Sequence, residues 1–165
     1  MISLKIEEVK TFMGMLLANT MFDELILKEM ELQTFTNFHV SGQFHENFFS
    51  QEELEERGKE KAVLWGEIRG IAFSIIRGQK SPLLMKIVFQ LPSDQSDKLV
   101  ESLGGRIRSE DVGGLFMNIR FEKNELHIIT GTAIKTFSLD KTLEIEWDRW
   151  VKGFLSSRGI IYEEV

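Results

Sequence analysis

The clearest alternation of apolar and polar positions lies between Leu115 and Leu139. The strand that begins there has a period of two, which places Met117 and Ile119 on one face. Lys123-Asn124 follows that strand, and asparagine tolerates the positive φ that a tight hairpin turn requires. The apolar pattern then resumes. We therefore predict a β-hairpin with a long return strand.

The N-terminal part of the chain, residues 1–45, shows both strand and helix periods. A strand is predicted over Ile2–Ile6, and a helix over Glu7–Ala18, where apolar residues recur at spacings of three and four. Further strands are predicted between Leu25 and Phe44. A break in their alternation places a turn or bulge near Thr34–Asn37.

An acidic connector is predicted over residues 46–61. Ser50 and Glu53 have the spacing of a capping box, in which each side chain accepts a hydrogen bond from the other residue's free amide. A short helix is expected to run from there to Arg57, with Gly58 ending it.

The second half, residues 62–139, repeats the element order of the first. A strand is predicted over Val63–Ile68, a helix over Arg69–Arg77, and a strand over Leu83–Leu91, after which the hairpin supplies two more. Both halves are thus expected to be β-α-β-β-β units, without residue identity between them. A helix over 141–157 is added at the C-terminal end.

The bulk composition fits one domain over residues 1–165. The chain is 42% hydrophobic and 28% charged, which is typical of a folded globular domain of the α+β class. It contains no cysteine, which excludes disulfides and thiolate catalysis. No apolar run approaches ~18 residues, so we expect no membrane segment. The N-terminal sequence MISLKIEEVK has acidic residues where a signal peptide would need an apolar run, so we expect a cytoplasmic protein.

The segment AVLWGEIRGIAFSIIRGQKSPLLMKIVFQL, residues 62–91, resembles the strand-helix-strand opening of a module of the DNA sliding clamps. The tandem element order is also similar to one clamp domain. The insertion at 92–114, the acidic connector and the tryptophan-bearing last helix depart from that pattern. The whole sequence resembles an uncharacterised family of clostridial proteins, which implies a bacterial origin.

The clamp resemblance implies a nucleic-acid surface on the helices. In that architecture the helices line the DNA-facing side, so their exposed positions should carry lysine or arginine. The candidates are Lys10 on the first helix, Arg69 and Arg77 on the second, and Lys80 beyond it. The net charge of −6 gives no overall attraction to nucleic acid.

Catalytic and cofactor motifs are largely absent from the sequence. Gly78-Gln79-Lys80-Ser81 lacks the glycines of a phosphate loop. His39 and His45 are about 20 Å apart if their strand is straight, so only a turn between them, with His127 from another strand, would assemble a metal site. We predict no cofactor and no metal, and keep a small histidine-containing enzyme as an alternative.

The leading hypothesis is a non-catalytic binding domain that works through protein contacts or self-association. Exposed edge strands are able to pair between subunits. Trp147 and Trp150 are expected either to pack the last helix on the sheet or to form part of a dimer surface. Nucleic-acid binding through the helix face is the second hypothesis.

Overall fold

A computed structural model describes residues 1–76, 78 and 80–165 of the chain. In this described part the helices and strands follow one another as β1 (Ser3–Ile6), α1 (Val9–Leu17), β2 (Ile26–Gln33), β3 (Asn37–Val40), α2 (Gln51–Arg57), α3 (Trp65–Ile76), β4 (Leu84–Gln90), α4 (Ser93–Glu101), β5 (Val112–Glu122), β6 (Glu125–Ile134), α5 (Thr142–Ser157) and β7 (Tyr162–Glu164). Short 3-10 turns occupy Glu46–Phe48 and Ser109–Asp111.

The strands form one seven-stranded sheet in the order β3-β2-β4-β5-β6-β1-β7. Every neighbouring pair is antiparallel. Strand β1 lies between β6 and β7, so the two ends of the chain meet in the sheet. Strands β3 and β7 are its edges. The mixed helix and sheet content confirms the predicted α+β class.

The helices cover one face of this sheet. Along β4 the side chains alternate between buried and half-buried, as a strand with a single core face requires. The buried row of the sheet shares one hydrophobic core with residues of α1, α3, α4 and α5. Two tryptophans are buried in that core, and each donates a hydrogen bond from its indole N–H. Trp65 of α3 donates to the Leu16 carbonyl, and Trp147 of α5 donates to the Phe116 carbonyl, both at 2.9 Å. The opposite face of the sheet carries the polar positions.

The local predictions with strong turn or cap chemistry are confirmed. The hairpin joins β5 to β6 through Lys123 and Asn124, whose φ values are +54° and +64°. The capping box is present, with Glu53 N–H donating to Ser50 Oγ at 3.1 Å and Ser50 N–H donating to Glu53 Oε1 at 2.9 Å. The last helix, α5, also lies where its apolar stripe predicted.

The strand predicted over Val63–Ile68 is wrong. Helix α3 already begins at Trp65, and Leu64 contributes only an isolated bridge to Ile26. The apolar residues of this segment belong to a helix that buries Trp65 and Ala72. The apolar run at the start of the segment is too short for its period to distinguish a strand from a helix.

The tandem pair of matched halves is therefore not observed. The second half lacks its opening strand, and the first half does not form a unit of its own. Its strand β1 pairs with β6 and β7, whereas β2 and β3 lie at the other end of the sheet beside β4. Pairing between strands that are far apart in the sequence determines this arrangement. The local pattern of apolar and polar residues does not predict such pairing.

Among the described residues, no helix combines the length and apolar character that crossing a bilayer would require.

Candidate functional site

An apolar groove lies at the tip of the β2–β3 hairpin. It encloses about 530 Å³ between that tip, the C-terminal end of α3 and the start of β4. We call it the tip groove, and its walls include Thr34, Phe35, Ile75, Ile76, Lys80, Ser81 and Leu83. Phe35 is 91% exposed and Leu83 is 70% exposed. Two large apolar side chains therefore remain in water at the rim of one concavity.

The backbone fixes both rim residues in place. The Leu83 N–H donates to the Gln33 carbonyl at 2.7 Å, which holds Leu83 beside the hairpin. The Thr34 N–H donates to the Thr36 carbonyl at 3.0 Å and closes the turn. Phe35 stands edge-to-face on Phe38, with ring centroids 5.8 Å apart. The exposed Phe35 ring thus belongs to a closed turn rather than to a loose loop.

One polar group of the tip groove is unsatisfied. The Thr34 hydroxyl oxygen is shielded from solvent and has no hydrogen-bond partner among the described residues. Leaving such a group unpaired costs about 1–3 kcal/mol. A bound chain that brings a backbone amide or carbonyl into the groove would remove this cost.

The arginine predicted to bind nucleic acid on the face of α3 forms an ion pair within the fold. Arg69 Nε donates to Asp23 Oδ1 at 2.8 Å, and this ion pair neutralises its charge. Lys10 is exposed on the first turn of α1, and Lys80 lies in the tip groove. Arg77 lies outside the described residues. Of the three described candidates, Arg69 is therefore held in an ion pair, Lys10 is exposed on a helix and Lys80 lines the tip groove.

A basic row runs across the uncovered face of the sheet instead. The strand registers place Lys86 of β4 opposite Arg120 of β5, and Arg120 opposite His127 of β6. His127 is in turn opposite Lys5 of β1. Glutamates offset much of this charge: Glu122 binds Arg120 at 2.8 Å, and Glu125 lies 3.4 Å from Lys5. At the two ends of the row, Glu31 is opposite Lys86 and Glu163 is opposite Lys5.

The three histidines do not come together. His39 and His127 lie in one cross-strand row, but four strand spacings of ~4.8 Å put them ~19 Å apart. His45 is exposed just before a 3-10 turn. Among the described residues, no group of three or more potential metal-ligating side chains lies close enough to hold an ion. The histidine-site alternative therefore has no assembled geometry behind it.

The two tryptophans of α5 differ in exposure. Trp147 is 1% exposed and packs in the core, which is the first of the two roles considered for it. Trp150 is half-buried and stacks between Trp147 and Phe154 at centroid distances of 5.2 and 5.1 Å. The guanidinium of Arg158 covers Phe154, 3.6 Å from its centroid, and completes the stack. The stacked rings pack α5 against the hydrophobic core.

Sequence reasoning missed the tip groove and the basic row. The sequence predicted the turn near residues 34–37, but not that Leu83 and the end of α3 would meet it. Phe35 interrupts the predicted alternation of apolar and polar residues. An aromatic residue at a turn was the signal in the sequence that could have indicated an exposed apolar site. The basic row depends on registers between strands that are far apart in sequence.

Comparisons with known proteins give one match. The model of a family of unknown function, DUF5721, matches residues 15–163. No curated protein matches, and no solved structure matches.

Proposed function

Since the chain belongs to the DUF5721 family, for which no function is known, we propose a function from the geometry: it is a protein-interaction domain that binds an apolar segment of another chain in the tip groove. The observation that carries this proposal is the pair of exposed rim residues, Phe35 and Leu83, beside one concavity. Exposed apolar side chains gathered at a groove mark interaction sites far more often than scattered ones do.

The groove also suggests the chemistry of its partner. Ile75 and Ile76 supply an apolar floor, and the exposed Lys80 at its wall favours an acidic residue in the ligand. The unsatisfied Thr34 hydroxyl favours a ligand that presents backbone polar groups. An extended peptide with apolar side chains and one flanking carboxylate meets these three conditions.

Peptide display tests this proposal. A random peptide library is selected on the folded domain and counter-selected on Phe35→Asp, which places a charge at the groove rim. We expect enriched sequences with paired apolar residues that bind the native domain and not the variant. Selected peptides that bind Phe35→Asp as tightly as the native domain, or no enrichment on the native domain, would contradict the proposal.

Nucleic-acid binding is a second candidate, and the basic row of Lys86, Arg120, His127 and Lys5 is the observation that favours it. The row crosses four adjacent strands on the uncovered face, where a phosphate backbone would meet several cations. Single-stranded DNA binding at low salt should then weaken at least several-fold in Lys86→Ala with Arg120→Ala. Lys10→Ala tests the helix face by the same assay. No binding by the native protein at low salt would remove this candidate.

A further inference from the structure

The two edges of the sheet are protected differently. Strand β7 is three residues long and carries Glu163 and Glu164, and Lys152 of α5 binds Glu164 at 2.8 Å. Charged side chains of this kind keep other strands from pairing with an edge. Strand β3 has the sequence Asn-Phe-His-Val, and among the described strands it pairs with β2 alone. Within the part of the chain that the structure describes, its outer edge therefore has no neighbouring strand, and β3 itself carries no fixed charge.

The residues of β3 and of its flanking segments carry no fixed charge, although Glu29 and Glu31 of the neighbouring strand β2 lie beside His39. The run from Leu32 to His45 contains no aspartate, glutamate, lysine or arginine, in a chain whose net charge is −6. Two copies of this protein repel one another over most of their surface. Because β3 itself carries no fixed charge, a second copy approaches this edge more easily than the acidic β7 edge.

The side chains of β3 are self-complementary. Phe38 pairs with Leu32 and Val40 pairs with Met30, so both lie on the core face of the sheet, yet both remain half-exposed at its edge. A second strand whose apolar residues lie on the same face would cover them. Another copy of β3, running antiparallel about a twofold axis, supplies such a strand.

We propose that β3 pairs with β3 of a second copy and joins the two sheets across a twofold axis. The core faces remain continuous only if residues of the same face lie opposite each other. The register that satisfies this and covers both apolar side chains places Phe38 opposite Val40 of the partner copy, and His39 opposite the same residue of that copy. The edge is four residues long, so the dimer forms at high protein concentration and dissociates on dilution. This surface adjoins the tip groove through the contact of Phe38 with Phe35, but the pairing of β3 does not depend on the groove having a ligand.

Cysteine cross-linking tests both the dimer and its register, because the native chain has no cysteine. In His39→Cys the two introduced cysteines lie opposite each other at the axis. Their Cα atoms are then within the 4.4–6.8 Å separation that a disulfide allows. Asn37→Cys is the matched control, on the same strand and the same face. In the proposed register its two copies are about four residues, or ~14 Å, apart.

We expect mild oxidation to cross-link His39→Cys at least ten times faster than Asn37→Cys, with circular dichroism confirming that both variants are folded. In parallel, sedimentation of the native protein should show an average mass rising above 19.1 kDa with concentration. His39→Lys, whose new cation lies beside Glu29 within one copy but faces a like charge across the axis, should stay monomeric. Equal cross-linking of the two cysteine variants, or a constant native mass, would overturn the proposal. Either result would leave peptide binding in the tip groove to be decided separately by the display experiment.

Discussion

Arg69 and Asp23 form a two-point ion pair between helix α3 and the loop that precedes β2. Arg69 Nε donates to Asp23 Oδ1 at 2.8 Å, and Nη2 donates to Oδ2 at 3.2 Å. The side chains are only 25% and 22% exposed. A Cβ at Gly66 would lie 3.1 Å from the Asp23 Cβ, so the glycine leaves room for the carboxylate. The arginine on α3 that seemed available for DNA therefore joins two parts of the fold.

Breaking this pair should cost stability rather than ligand affinity. Because both hydrogen bonds are charge-assisted and mostly shielded, Asp23→Ala or Arg69→Ala should each lower the free energy of unfolding by about 1–2 kcal/mol. Urea denaturation of both single variants and the double variant measures the coupling. We expect the double variant to lose less than the sum of the two. Additive losses would show that the pair contributes nothing of its own.

Trp65 holds α3 against the end of α1. Its Nε1–H donates to the Leu16 carbonyl, one of the last-turn carbonyls that a helix cannot satisfy internally. Trp65→Phe removes this donor and leaves a void in a fully buried site, so unfolding free energy should fall by about 2–4 kcal/mol. Thermal and urea unfolding provide the measurement. Trp150→Phe, at a half-buried ring, is the control and should cost about half as much or less.

The Arg57–Glu67 pair predicts a pH-dependent contribution to stability. Hydrogen bonds from Arg57 lower the pKa of Glu67 below its ordinary 4.5; burial opposes this shift, and the Leu64 amide supports it. The pKa is depressed on folding, so the stabilisation is fully present above about pH 4.5 and disappears as pH falls through the folded-state pKa. Glu67 is 43% exposed, so solvent screening keeps the effect small.

Glu67→Gln should accordingly lose up to about 1 kcal/mol at pH 7, and this deficit should shrink towards zero below pH 4. Urea titrations of both proteins across that pH range measure the difference. Glu56→Gln removes an exposed carboxylate from α2 and is the matched control for the loss of one negative charge. A Glu67→Gln deficit that stays constant down to pH 3 would rule out the ion-pair explanation.

The β5–β6 turn holds a lysine in a left-handed conformation. Lys123 has a φ of +54°, which favours asparagine or glycine over lysine. Lys123→Asn should raise the unfolding free energy by about 0.5–1 kcal/mol, because asparagine tolerates this backbone region with less strain. Lys123→Ala keeps the strain and should give no gain. A stabilisation of the same size in the alanine variant would point to the loss of the lysine charge instead.

The sequence was sufficient where local chemistry decides structure. The Lys123-Asn124 turn, the Ser50–Glu53 capping box and the stripe of α5 each depend on residues a few positions apart. The interpretation was wrong at Val63–Ile68, where a short apolar run is compatible with both a strand and the start of a helix. There the burial of Trp65 against α1, which is a long-range contact, selected the helix.

The candidate sites could not be predicted from the sequence for the same reason, because they depend on long-range contacts. The tip groove requires Leu83 to meet a hairpin whose tip is Phe35, and only the pairing of β2 with β4 brings them together. Likewise, His39 and His127 seemed able to share a site until the sheet order placed three strands between them. Matched halves were inferred from element order, but the position of β1 between β6 and β7 is set by pairing across the whole chain.

Calorimetric titration of a display-selected peptide into matched phenylalanine variants tests the interaction-domain proposal most directly. Phe35→Ser changes a ring that is 91% exposed at the tip groove, and Phe137→Ser changes one that is 90% exposed elsewhere on the surface. We predict that Phe35→Ser weakens binding at least tenfold, whereas Phe137→Ser leaves it within a factor of two. Equal effects of the two substitutions would contradict the assignment of the tip groove as the binding site.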